Sequence, residues 1–160
     1  MPRWRRVLGL ILLLWVVSTI AGAVCWARQR IEIDTTAASY RRDSARVDSL
    51  ARGPLLSYAK YLRLNGWRIV FRADTLGGDT VAVTRASEPY RNSMIVLDIR
   101  KIDASTTDEV LLHELWHIKL SPYTRLIKEL VGAHDGFISW EVAKKEEALV
   151  TDLTRMMLWR

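Results

Sequence analysis

From Val7 to Ala27 the chain reads VLGLILLLWVVSTIAGAVCWA, without one charged residue. At 1.5 Å per residue a helix of that length reaches about 30 Å, the thickness of a bilayer's hydrocarbon core. Trp4 and Trp26 stand near its two ends, where interfacial aromatics belong. Residues 1–27 are therefore expected to form a single membrane-spanning anchor. Pro2-Arg-Trp-Arg-Arg6 makes a positive leader and Ala21-Gly22-Ala23 a small-residue cleavage site, so secretion after cleavage is the alternative. The run exceeds the roughly 7–15 residues of a signal core, which favours an uncleaved anchor. Arginines flank it on both sides; the leader-like start favours a domain outside the cytoplasm.

After the anchor the pattern becomes periodic. Residues 28–53 are charged and poor in large apolar groups, and read as a polar linker, with partial helix as the alternative, closed by Gly53-Pro54. Leu55, Leu56, Tyr58, Ala59, Tyr61, Leu62 and Leu64 recur at helical spacing, and Asn65-Gly66 offers a left-handed stop. Trp67–Arg72, Val81–Thr84 and Ser93–Ile99 read as strands, the first two joined like a hairpin through Asp74–Asp79. Thr106-x-x-Glu109 is a capping box ahead of Val110-Leu111-Leu112. A short helix over Thr124–Val131 is expected to end at Gly132, and a long one to run from about Ser139 to Trp159. Residues 54–160 thus form one α+β domain with a three-stranded sheet.

Charge narrows the function. The formal net charge is +6, but five arginines lie within residues 1–30 without a single acid. Residues 31–160 carry 19 basic and 18 acidic residues, so the folded part lacks a nucleic-acid footprint and no nucleic-acid partner is expected. The single cysteine, Cys25, lies in the apolar run and excludes both a disulfide framework and a cysteine-based metal site.

The chemistry sits in His113-Glu114-Leu115-Trp116-His117. Residues i and i+4 of a helix share a face, so both imidazoles reach one point, a geometry that suits Zn2+. Glu114 is then placed to act as general base on an activated water. Chance occurrence of this pattern is the bland reading, but two of the chain's three histidines fall in it. A catalytic zinc needs a third protein ligand. On a helical wheel centred on Val142, Glu146 falls inside the stripe of Leu149, Leu153, Met156 and Met157, where an unpaired carboxylate is costly. Glu146 is the expected ligand, with Glu147 and then His134 as alternatives. His134 or Tyr123 are candidates for stabilising an oxyanion, and Asp152 or Asp108 for orienting an imidazole through its second nitrogen.

With these residues in place, the chain resembles the gluzincin branch of the zincin metallopeptidases, and the compact minigluzincin plan in particular. The resemblance covers about residues 54–160 and rests on His113, Glu114 and His117, with Glu146-Glu147-Ala148 as the glutamate helix. It implies a backing helix, a small twisted sheet, a metal helix and a later glutamate-donating helix. It also implies that the last strand, Ser93–Ile99, borders the cleft and pairs with an extended peptide. The expected function is membrane-associated, zinc-dependent hydrolysis of peptide bonds in a peptide or protein substrate. A catalytically inactive zinc-binding or regulatory protein of the same fold is the alternative.

Overall fold

The computed structural model describes residues 31–130 and 136–159; the apolar segment 7–27 and His134 lie outside them. Among the described residues no helix is long and apolar enough to cross a membrane. The architecture is α+β, with a mixed sheet of four strands rather than three. They are β1 (Ile31–Ile33), β2 (Arg68–Ala73), β3 (Ala82–Ser87) and β4 (Asn92–Leu97), in the order β1-β2-β4-β3. β1 and β4 run parallel to β2, while β3 runs antiparallel to β4. The expected hairpin is therefore absent: β2 pairs with β1 and β4, and β3 closes the opposite edge. Alternation along β2 and β4 explains why they fill the centre. Ile69, Phe71 and Ala73 are buried directly beside Ser93, Ile95 and Leu97, so one face of both strands meets the helices.

Residues 31–53 also depart from expectation. They supply β1, helix α1 (Ala38–Arg42) and helix α2 (Ser44–Leu50), and Val47, Leu50 and Ala51 belong to the core cluster. Sparse apolar residues hid this, because three well-placed ones suffice to seat a short helix. Gly53-Pro54 does not break the chain. A π-helical turn over Ala51–Leu55 absorbs the proline and leads into α3 (Leu56–Tyr61), and the Ser57 hydroxyl donates to the Gly53 carbonyl at 3.0 Å. The helix stops one turn earlier than Asn65-Gly66 would place it. Arg63 takes the left-handed conformation (φ 54°), Leu64 N–H donates to Ala59 O, and Leu64 is buried beyond it.

Helix α4 (Thr107–Leu130) is continuous through Pro122, so the expected separate helix at 124–131 is the second half of this one. Proline has no N–H for the Ile118 carbonyl, and the Ser121 hydroxyl donates to it instead at 3.0 Å. At its start, Asp103 rather than the Thr106–Glu109 pair meets free donors: its carboxylate accepts from the backbone of Ser105 and Thr106. Leu111, Leu112, Leu115 and Ile118 press α4 onto the sheet. Helix α5 (Gly136–Leu158) then runs back along α4.

The loop from β2 to β3 is clamped by charges that no sequence motif announces. Asp98 is fully buried and accepts from Leu76 N (3.0 Å), Arg100 Nε (2.9 Å) and Arg100 Nη2 (2.8 Å). Lys101 Nζ donates to the carbonyls of Leu76, Gly78 and Thr80 at 2.7–2.9 Å. Hydrogen bonds from Arg100 hold the Asp98 carboxyl far below the ordinary 3.8, outweighing its burial. A depressed folded value means stability is present above pH 4 and drains away as pH falls below it. Asp98→Asn is expected to cost about 2–3 kcal/mol near neutral pH. It should also flatten the acid-side loss of thermal stability, as calorimetry across pH 2–7 would show.

Candidate metal centre

Helix α4 carries His113, Glu114 and His117; α5 carries Glu146 and Glu147. The antiparallel crossing of the two helices brings both pairs together. His113 Nε2 lies 3.2 Å from His117 Nε2, 3.0 Å from Glu147 Oε1, and His117 Nε2 lies 3.3 Å from Glu147 Oε2. These three groups could hold a metal ion. Bonds of about 2.1 Å at tetrahedral angles set ligand atoms ~3.4 Å apart, close to each of these three separations.

The donor chemistry points the same way. His117 Nδ1 lies 3.1 Å from Glu146 Oε1, so that nitrogen carries the proton and donates it. The lone pair on Nε2 then faces a second imidazole and a carboxylate, an arrangement that a bound cation resolves. Glu146, the third ligand expected from the sequence, stands outside the donor group that the structure gathers, where Glu147, the expected alternative, is found. Glu146 engages the far side of the ring, and an oxygen holding Nδ1 is not shared with an ion at Nε2. Glu147 joins the two imidazoles in the donor group, while Glu146 meets the second ring nitrogen of His117, a contact expected from Asp152 or Asp108. Those two are exposed, and Asp108 interacts with Tyr58 instead.

Charges around the site are mutually adjusted. Burial alone would lower the His117 imidazole, but Glu146, Glu114 and Glu147 around it hold it above its ordinary value. The His117 contact lowers Glu146, helped by the Thr124 hydroxyl. Glu114 is buried, which raises its carboxyl; the Thr84 hydroxyl and the two imidazoles oppose this only in part.

No family model matches this chain, and no curated protein or solved structure matches it. The site therefore stands on its own geometry. Beside it lies a cleft of about 820 Å³ between β3 and α4, lined by Thr84, Ser87, His117, Ser121, Lys128 and Glu146 among others. His117, Ser121, Thr124 and Lys128 follow one another at i, i+4, i+7 and i+11, a single helical face. That stripe was readable only with α4 carried through Pro122. The strand beside the cleft is β3, an edge strand, whereas Ser93–Ile99 supplies the central β4. Ser93–Ile99 is therefore not the edge strand expected there, and the edge on this side of the sheet is β3. Tyr123 is exposed and lines a separate apolar groove with Ile127, Val142 and Leu149. It takes no part in the donor cluster, and His134 lies outside the described residues.

Proposed function

We propose that the chain is a zinc metallopeptidase of gluzincin type, held at a membrane by residues 7–27 and acting on extended peptide segments, with its domain outside the cytoplasm. The observation that carries this reading is the meeting of His113 Nε2, His117 Nε2 and the Glu147 carboxylate, whose two oxygens lie 3.0 and 3.3 Å from the two imidazoles, beside a buried glutamate and an edge strand. Two imidazoles and one carboxylate, with a position left for water, are the ligand set of catalytic zinc.

Zinc in that position supplies Lewis acidity, polarising a carbonyl and bringing the pKa of water toward about 7. The chain's own groups do the rest. Glu114 takes the proton of the attacking water and passes it to the leaving amine, and its burial makes it a stronger base than a solvated carboxylate. Glu146 fixes the tautomer and orientation of His117 through Nδ1. The free side of β3 offers alternating N–H and C=O groups to a substrate backbone, which aligns the scissile bond along α4 with little side-chain selectivity.

The test is the metal content and activity of the purified full chain in detergent. One zinc per chain is expected by elemental mass spectrometry, with cleavage of a mixed peptide library that stops on chelation and returns on adding zinc. Bound zinc without cleavage would identify the inactive metal-binding alternative. A chain that takes up no zinc would sink both readings.

A further inference from the structure

We propose that the apolar end of the α4–α5 pair rests on the same bilayer that holds residues 7–27, which sets the metal cleft at the membrane surface. This rests on the membrane-tether reading above and adds an orientation to it.

Three observations meet at one end of the sheet. β1 starts at Ile31, four residues beyond Ala27, so even a fully extended chain allows no more than ~14 Å between the apolar run and the sheet. The register aligns Ile31 with Ile69, one residue from the start of β2, and pairs Arg68 with Asn92 and Asn92 with Ser87. The beginnings of β1, β2 and β4 and the end of β3 therefore share this end. Arg125 of α4 reaches Glu88, the residue after β3, at 3.2 Å, while Thr84 within β3 meets the carbonyl of Glu114. Helix α4 thus descends along β3 toward the same end, and its last turn and the first turns of α5 lie there.

That end is apolar where water would favour polar residues. Leu126 is 52% exposed, Leu130 77% and Trp140 55%, with Tyr123 and Ile127 exposed alongside. Tyr123, Ile127 and Leu130 fall on one stripe at i, i+4 and i+7. Lys128 and Lys145 border it beside Glu129 and Glu141, the Lys144 ammonium lies 4.8 Å from the Trp140 ring centre, and aliphatic residues and tryptophan with lysines among them suit the boundary between acyl chains and anionic headgroups. A tether of three residues, 28–30, keeps this face within reach of the surface at all times, which removes most of the entropic cost of docking.

Lipid-quenching fluorescence on the full chain tests this. Single-cysteine chains carrying Leu126→Cys, Leu130→Cys or Asp79→Cys on a Cys25→Ser background, and the native Cys25 chain, are labelled with bimane. They are then reconstituted in phosphatidylcholine–phosphatidylglycerol vesicles with or without nitroxide lipids. Asp79 is exposed in the loop at the opposite end of the sheet. Labels at 126 and 130 are expected to lose more than half their emission, as at Cys25, with position 79 unchanged. Quenching at Cys25 but not at 126 and 130 would overturn the docking and leave the tether intact. No quenching at Cys25 would overturn the tether and the docking together. Blue-shifted emission at 126 and 130 without lipid quenching would mean that protein covers the face, and would also overturn it.

Discussion

Glu114→Gln is expected to lower kcat by about 10³-fold while one zinc remains bound per chain. The substitution keeps the shape of a side chain that is buried against Thr84 and the two imidazoles, so the fold and the three ligand groups should persist. What it removes is the lone pair that accepts a proton from water. The loss should fall on kcat and leave KM nearly unchanged, since Glu114 is asked to act on the reacting water and not on substrate binding. Stopped peptide cleavage with zinc content unaltered is the decisive pair of measurements. Retained cleavage would show that Glu114 is not the base, and loss of zinc would show that its role is structural.

Separating the two glutamates of α5 should have the next largest effect. Glu147→Ala is expected to weaken zinc binding by more than ~100-fold, because it deletes one of three protein ligands. Glu146→Ala should retain the ion with affinity reduced about 10–100-fold, the usual cost of losing the carboxylate that orients a ligand imidazole. Competition titration with a chromophoric chelator reads both. An inverted order, with Glu146→Ala the more damaging, would return the ligand role to Glu146 and place Glu147 at the rim.

The two residues also show where reading the sequence succeeds and where it stops. The histidine pair was legible because i, i+4 spacing on a helix is a local matter, needing no knowledge of what packs against it. The glutamate was chosen by burial, and burial was judged correctly: the Glu146 side chain is 17% exposed against 59% for Glu147. It is the more exposed carboxylate, however, that the structure gathers with the two imidazoles. The donor group lies at the lip of a cleft, so Glu147 faces outward and Glu146, behind His117, is the enclosed one. The apolar stripe of α5 misled in the same way. Val150 and Thr154 are its buried positions, whereas Leu149 and Met156 are exposed, so the helix is turned from the orientation its hydrophobicity implies.

Strands were legible as segments but not as partners. Periodicity located β2, β3 and β4, yet adjacency in the chain was taken as adjacency in the sheet. The parallel pairing of β2 with β4 depends on a crossover that no local pattern encodes. Likewise β1 has three residues, too few for an alternation to register, and it exists because β2 offers it an edge. The buried Asp98 was invisible for a related reason: besides Arg100, it meets the backbone of Leu76, in a loop more than twenty residues earlier in the chain.

The open side of β3 carries a hazard of its own. An edge strand with unpaired backbone groups accepts any extended chain, including β3 of another molecule, and the proposed tether would confine these edges to two dimensions, where encounters are frequent. The strand is blunted by its own composition. Arg85 stands mid-strand and exposed, Ser87 ends it after six residues, and Glu88-Pro89 turns the chain away with a residue that has no N–H to give. Replacing Arg85 with an apolar β-branched residue would lengthen the sticky surface, and the first sign of it would be protein lost to clustering before any change in the site itself.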